Sequence, residues 1–164
     1  SGKNVKVIAT ETRPIQQGSR LTAFELKHDG FDVSIVPDTA VGYSMANGLV
    51  NKVVVGADRI VKTGHVFNKI GTYQVATMAK QHGIPFYVAA PLSTIDMETK
   101  AADVIIEMRD GYEVTGIGDK KTAPDGISVI NPAFDMTPPE LITAIITEKG
   151  IAKSPYEDSI QKLL

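Results

Sequence analysis

The sequence contains no cysteine and no tryptophan. Without cysteine the chain has no disulfide, no thiolate metal site and no cysteine nucleophile of its own. No apolar run approaches the roughly 18–20 residues of a membrane span, and no signal peptide is visible. A surplus of one charge is also lacking. Lys and Arg number 17 against 19 Asp and Glu, a net charge of −2, so there is no electrostatic case for nucleic acid as a partner. The three histidines, His28, His65 and His82, have no metal-ligand spacing, and no metal is expected. His28 and His82 fall near expected helix carboxyl ends, where an imidazolium suits the helix dipole. No Gly-x-Gly-x-x-Gly follows the first strand, which argues against a dinucleotide fold of the usual kind. The stretch Gly116-Ile117-Gly118-Asp119-Lys120-Lys121 lacks the spacing and the following helix of a phosphate loop. These exclusions leave a soluble, cytoplasmic protein as the expectation.

What is there suffices for a full core. Of 164 residues, 43% are hydrophobic and 22% charged, one ordinary domain's worth. Residues 5–10 (VKVIAT), 32–36 (DVSIV), 53–56 (VVVG), 86–90 (FYVAA) and 102–106 (ADVII) read as strands. Helices are expected over residues 20–28, 40–46 and 71–81, with Asp38 or Thr39 as a cap for the second. Thr72, Val75, Ala76 and Ala79 form the apolar face of the third. Strand–helix–strand units in a row imply parallel strands with right-handed crossovers. The fold class is therefore α/β, a Rossmann-like three-layer domain with a mostly parallel sheet. Residues 109–126 read as a hairpin or long loop, and residues 128–130 as a short strand. Thr137-Pro138-Pro139-Glu140 has the form of a helix start, predicting a helix through residue 147, and an amphipathic segment closes the chain over residues 155–164.

Residues 53–73 hold the densest chemistry. The run Val53-Val54-Val55 ends in Gly56-Ala57-Asp58, and an aspartate at the end of a buried strand is partly desolvated, which raises its pKa and suits proton transfer. Its bland alternative is a capping aspartate. After a polar turn at Lys62-Thr63-Gly64, Asn68-Lys69 precede Gly71 at the mouth of a helix, where a lysine and open backbone N–H groups suit an anion; the alternative is an exposed lysine beside an asparagine cap. Between the first strand and its helix, Arg13 can hold a phosphate bidentately or pair internally with Glu11 or an aspartate, and Gln17 can bond a sugar hydroxyl. Ser93-Thr94-Ile95-Asp96 follow the fourth strand, where the hydroxyls can line the pocket or the stretch forms an Asx or Ser/Thr turn.

Five stretches carry a resemblance: Glu11-Thr12-Arg13-Pro14 with Gln17-Gly18, Gly56-Ala57-Asp58-Arg59-Ile60, Asn68-Lys69-Ile70-Gly71-Thr72-Tyr73, residues 84–96 and residues 131–143. Together they resemble 5-methylthioribose-1-phosphate isomerase, a family that shares its fold with ribose-1,5-bisphosphate isomerase and the alpha, beta and delta subunits of translation initiation factor 2B. The resemblance implies aldose–ketose isomerisation of 5-methylthioribose 1-phosphate to 5-methylthioribulose 1-phosphate in methionine salvage, without cofactor. It implies that Asp58 is the catalytic acid/base and that Gln17, Asn68 and Lys69 contact the sugar phosphate; Arg13 joins them on physical grounds. It also implies a homodimer, for which the sequence offers spare apolar surface such as Ile151 and residues 160–164. Ribose-1,5-bisphosphate isomerase and a non-catalytic regulatory subunit related to initiation factor 2B are the alternatives. The family's catalytic cysteine, in a Cys-Asn-Ala-Gly motif, and its amino-terminal helical domain are absent from this chain. The chain opens Ser1-Gly2-Lys3 without methionine. The expectation is a single carboxyl-terminal catalytic domain, residues 1–164, whose partner is the amino-terminal half of the same protein and which is inactive or nearly so alone.

Overall fold

The computed structural model describes residues 5–164; the opening Ser1-Gly2-Lys3 lies outside them. The chain order is β1 (Lys6–Thr10), α1 (Ala23–His28), β2 (Asp32–Val36), α2 (Val41–Ala46), β3 (Val53–Val55), β4 (Arg59–Val61), β5 (Val66–Lys69), α3 (Thr72–Gln81), β6 (Phe86–Ala89), β7 (Ile95–Asp96), α4 (Tyr112–Thr115), β8 (Gly116–Ile117), β9 (Lys120–Lys121), β10 (Phe134–Thr137), β11 (Ala144–Thr147), β12 (Gly150–Ala152) and α5 (Tyr156–Gln161). This is an α/β fold. It packs as two compact units, one running up to Ser44 and including Met108–Asn131, the other Met45–Glu107 with Pro132–Leu164.

In the first unit β1 and β2 pair in parallel, from Lys6↔Asp32 to Thr10↔Val36, as a strand–helix–strand crossover requires. A π-helical turn, Gly18–Thr22, leads into α1. Gly18 must be glycine, because a Cβ there would sit 1.8 Å from the Thr10 carbonyl oxygen. The Met108–Asn131 segment forms the one-turn α4 and the small antiparallel hairpin β8–β9. The Arg109 guanidinium grips the Glu113 carboxylate at 2.7–3.0 Å, and buried Asn131 donates to Asp110 O at 2.9 Å and Glu113 Oε2 at 3.2 Å. The strand expected at residues 128–130 joins no ladder, and Ile130 is 84% exposed.

The second unit has two four-stranded sheets, in the orders β12-β11-β6-β3 and β10-β5-β4-β7. In the first of these β3, β6 and β11 run parallel and β12 antiparallel. Phe86, Val88 and Ile145 on its inner strands are fully buried. Helix α3 buries Thr72, Ala76 and Ala79, the i, i+4, i+7 spacing of one face. The crossover from β3 to parallel β6 uses α3 as expected, but a hairpin, β4–β5, is inserted between β3 and α3.

Three expectations are corrected here. Thr137-Pro138-Pro139-Glu140 does not start a helix. Thr137 ends β10, the prolines set a single 3-10 turn at Pro139–Leu141, and the chain re-enters the sheet as β11. Residues 142–147 (ITAIIT) are mostly β-branched, and their burial between β6 and β12 outweighs the local capping pattern. Residues 102–106 form no strand: a 3-10 turn occupies Ala101–Asp103, and Ile105, beyond it, is 93% exposed. Ile160 is not spare surface but fully buried, whereas Ile151 and Leu164 are exposed as expected.

Burial of Ile160 seats α5 in the unit, and with it Tyr156. The Tyr156 hydroxyl donates to Ile142 O at 2.8 Å, and burial pushes its pKa up to about 12. Its ring lies on Gly64, at the turn of the β4–β5 hairpin, where φ is +83°. A Cβ at Gly64 would meet the ring at 2.6 Å in a conformation that side chains rarely adopt. Gly64→Ala should therefore destabilise the fold by about 3 kcal/mol in urea denaturation. A change within measurement error would show that this packing does not secure the hairpin.

Candidate functional site

The inserted hairpin assembles the centre of the site. In β4–β5 Arg59 pairs with Phe67 and Ile60 with Val66, and the Asp58 N–H donates to Phe67 O at 2.9 Å. Antiparallel pairing thus brings Asp58 to Lys69 although eleven positions separate them. Asn68-Lys69 stand just before a helix as expected, which begins at Thr72, but they do so as the end of strand β5, which the sequence reading did not foresee. Asp58 is exposed and its carboxyl accepts no hydrogen bond among the described residues. Even so, desolvation by the surrounding strand ends raises its pKa above the ordinary aspartate value, and the nearby Lys69 charge opposes this without cancelling it. Lys69 makes no ion pair among the described residues; its ammonium lies 4.8 Å from the Phe134 ring centroid.

Asn68 and Lys69 are neighbours in a strand, so their side chains leave opposite faces. Asn68 turns to the first turn of α3, where its Nδ2 donates to Thr72 Oγ1 at 3.0 Å; that hydroxyl in turn donates to Lys69 O at 2.7 Å. The Asn68 carbonyl oxygen accepts nothing among the described residues. Across the ladder, Asp135 stands opposite Asn68 and Phe134 opposite Lys69. The Asp135 carboxylate accepts the Gly71 N–H at 2.7 Å and the Tyr73 N–H at 3.0 Å. Burial raises its pKa, and those two backbone donors offset part of the rise. The start of α3, expected as an open anion site, already holds an anion belonging to the chain.

Beside Asp58, Arg59 reaches across to β7 and bonds Asp96 Oδ2 at 2.7 Å. The other Asp96 oxygen accepts the Glu98 N–H at 3.0 Å and the Thr99 N–H at 2.9 Å. The Thr99 and Glu98 bonds, with a smaller contribution from Arg59, hold the Asp96 pKa down at about 2. Ser93 and Thr94 fall in the 3-10 turn Leu92–Thr94, and the Asp96 carboxylate with the Glu98 and Thr99 N–H groups makes the Asx-turn alternative.

The first unit carries the other two candidates. The Arg13 guanidinium donates to backbone carbonyls: Pro14 O at 2.9 Å, Val114 O at 3.1 Å and Glu113 O at 3.3 Å. It pairs with neither Glu11 nor an aspartate. Asp38 instead takes backbone N–H groups, from Thr12 at 2.9 Å and Arg13 at 2.6 Å, rather than capping α2. Thr12 and Gln16 have φ of +63° and +61°. Such backbone costs about 1–3 kcal/mol per residue and collects at ligand sites. Gln17 follows, and its Oε1 is buried with no hydrogen-bond partner; Thr137 Oγ1 is the other such atom among the described residues. An orphaned acceptor costs about 1–3 kcal/mol, which a ligand hydroxyl would relieve.

Sequence reasoning missed Asp135 and the Asn68–Thr72 bond beside the candidate residues. For Asp135 the signal was present in Phe134-Asp135-Met136-Thr137, a lone charge in a strand-like run. Among the described residues no group of three or more His, Asp or Glu could hold a metal, and no helix is long and apolar enough to cross a membrane.

Comparison with known proteins bears on this arrangement. The Initiation factor 2 subunit family matches residues 1–154. A methylthioribose-1-phosphate isomerase of Thermosipho africanus is 59% identical over 163 residues, covering 99% of this chain and 47% of the relative. Among solved structures, the translation initiation factor eIF-2B, subunit delta, from A. fulgidus superposes with a TM-score of 0.96 at 54% identity, covering 99% of this chain and 47% of the other. The 5-methylthioribose 1-phosphate isomerase from Pyrococcus horikoshii OT3 does so with a TM-score of 0.92 at 47% identity, covering 95% and 44%. The chain spans about half the length of the curated relatives it matches.

Two titrations check the electrostatics. Lys69→Met removes a charge that holds the Asp58 pKa down, so Asp58 should titrate higher in the variant when its carboxyl carbon is followed by NMR. An unchanged or lower value would break the Asp58–Lys69 assignment. The folded pKa of Asp96 lies below its unfolded value of 3.8, so its contribution to stability is complete above that value and is lost as pH falls through about 2. The Glu98 and Thr99 amide resonances should move together with a midpoint near there; a midpoint close to 4 would contradict the clamp.

Proposed function

The chain belongs to the Initiation factor 2 subunit family, and from that premise we propose that it carries the acid/base part of an aldose–ketose isomerase acting on 5-methylthioribose 1-phosphate in methionine salvage. The observation that carries the reading is Asp58: an accessible carboxyl with no hydrogen bond among the described residues, a raised pKa, and beside it a lysine that makes no ion pair among those residues. The names of the matching relatives point the same way.

The substrate's C1 oxygen is bound to phosphate, so the ring does not open as a free sugar does. Opening requires a proton on the ring oxygen as its bond to C1 breaks. Hydrogen then leaves C2 and arrives at C1, while the C2 hydroxyl loses its proton and becomes the ketone. Asp58 is the group in this chain suited to give or take those protons, because its raised pKa keeps the acid form accessible nearer neutral pH. Lys69 supplies positive charge for the phosphate, and the Asn68 carbonyl oxygen supplies an acceptor for a sugar hydroxyl. Gln17 is assigned to the substrate on its orphaned Oε1, and Arg13 on its place in the same strained loop. We assign the catalytic thiol, which this chain lacks, and further phosphate contacts to an amino-terminal half. We also propose a Rossmann-like three-layer, mostly parallel layout, supported by the β3–α3–β6 crossover, a cytoplasmic location, and a homodimer that uses exposed side chains such as Ile151.

The A. fulgidus likeness favours a second reading, a regulatory subunit that binds sugar phosphate without turning it over. One assay separates the two. This chain is joined to the amino-terminal half of the Thermosipho africanus relative and incubated with 5-methylthioribose 1-phosphate, with the products followed by NMR. Ketose should form, and Asp58→Asn should lower the rate by roughly 10²–10⁴. Conversion of ribose 1,5-bisphosphate instead would move the substrate assignment. A folded protein that converts neither would leave the regulatory reading.

A further inference from the structure

The amino end of α3 is filled in an unusual way. A ten-residue helix leaves backbone N–H groups open at its start and a positive dipole end. Serine, threonine or asparagine would cap it at little desolvation cost. Asp135 does so from another strand, half-buried and charged, with both of its oxygens engaged by Gly71 and Tyr73. Burying a carboxylate is expensive, so a neutral cap would serve the helix alone at least as well.

The surroundings show what the charge adds. Asp135 stands opposite Asn68 in the β10–β5 ladder. Asn68 bonds Thr72 in the turn that Asp135 caps, and Thr72 bonds back to Lys69 O. One residue along, Phe134 carries its ring beneath the Lys69 ammonium. Strand β10 therefore holds both members of the Asn68-Lys69 pair, and Asp135 repels a second anion from the helix end. We propose that Asp135 is a positioning residue that decides where the substrate's phosphate lands: it closes the amino end of α3 and fixes the Asn68–Thr72–Lys69 chain, so that the anion is taken by Lys69. This deepens the isomerase reading and rests on it for the substrate.

The test uses Asp135→Asn, which keeps size and removes charge, with Asp135→Ser as a second variant should the first fail to fold. In the joined protein the KM for 5-methylthioribose 1-phosphate should rise about tenfold while kcat changes by less than about twofold, the pattern of lost ground-state positioning. A lower melting temperature with KM unchanged would overturn the proposal in favour of a merely structural cap, and a fall in kcat at constant KM would overturn it in favour of a chemical role. A second readout does not depend on turnover. Inorganic phosphate is titrated into this chain while the Asn68 side-chain amide and the Lys69 ammonium are followed by NMR. Phosphate should perturb both in the unaltered chain, and in Asp135→Asn the perturbation should move from Lys69 to the Gly71 and Tyr73 amides that Asp135 otherwise occupies. A perturbation pattern in the variant that stays on Asn68 and Lys69, or no perturbation at Lys69 in the unaltered chain, would overturn the proposal even if the isomerase reading stood; loss of turnover with this phosphate response intact would overturn only the isomerase reading.

Discussion

The pairing of β4 with β5 is the constraint from which the second unit's chemistry follows. A hairpin closed at Gly64 fixes which residue faces which, and so fixes Asp58 beside Lys69. Every neighbour of the hairpin holds it from a different side. β10 pairs along β5, β7 along β4, and the Tyr156 ring covers the turn. A two-stranded hairpin is marginal alone; here its buried residues Ile60, Val61, Val66 and Phe67 have partners on both flanks. The hairpin's tip is packed and its open end is polar, which is the distribution a site requires.

The first unit solves a related problem with different means. Its loop after β1 departs from regular structure at Thr12 and Gln16, and tertiary contacts supply what local preference does not. Asp38 draws in two successive N–H groups, Arg13 ties the loop to carbonyls of the α4 segment, and Gly18 admits the Thr10 carbonyl at a distance no side chain allows. Several well-placed acceptors are needed because two left-handed residues oppose them by about 1–3 kcal/mol each.

How far the sequence could be read depended on whether a residue's role is local. β1, β2, β3, α3 and β6 follow from apolar runs and a helical stripe, and they were legible within a residue or two. Asp58 was legible because a carboxylate after an apolar strand is unusual in itself. Asn68 and Lys69 were placed before their helix, but the strand that carries them was not foreseen, since Ile60-Val61 and Val66-Phe67 are too short to announce strands without knowing that β7 and β10 flank them. The stretch from Thr137 shows the opposite failure. Its capping pattern is a strong local signal, yet burial of Ala144 and Ile145 between strands is worth more than a cap. Asp135 was hidden because its partners, Gly71 and Tyr73, lie more than sixty positions away.

Three aspartates near this hairpin show why a type of residue does not by itself define a role. Asp96 is part-exposed, with backbone donors and an arginine around it, so its charge is stabilised and it stays ionised. Asp135 is half-buried, and its two backbone donors fall short of the desolvation they oppose. Its pKa is raised, but both oxygens are occupied, so moving a proton there would first break the start of α3. Asp58 shares the upward shift without that occupation. Among the three, a raised pKa coincides with open oxygens only at Asp58. Proton transfer needs both: the shift makes the acid form accessible, and the vacancy lets a substrate oxygen come within hydrogen-bond reach.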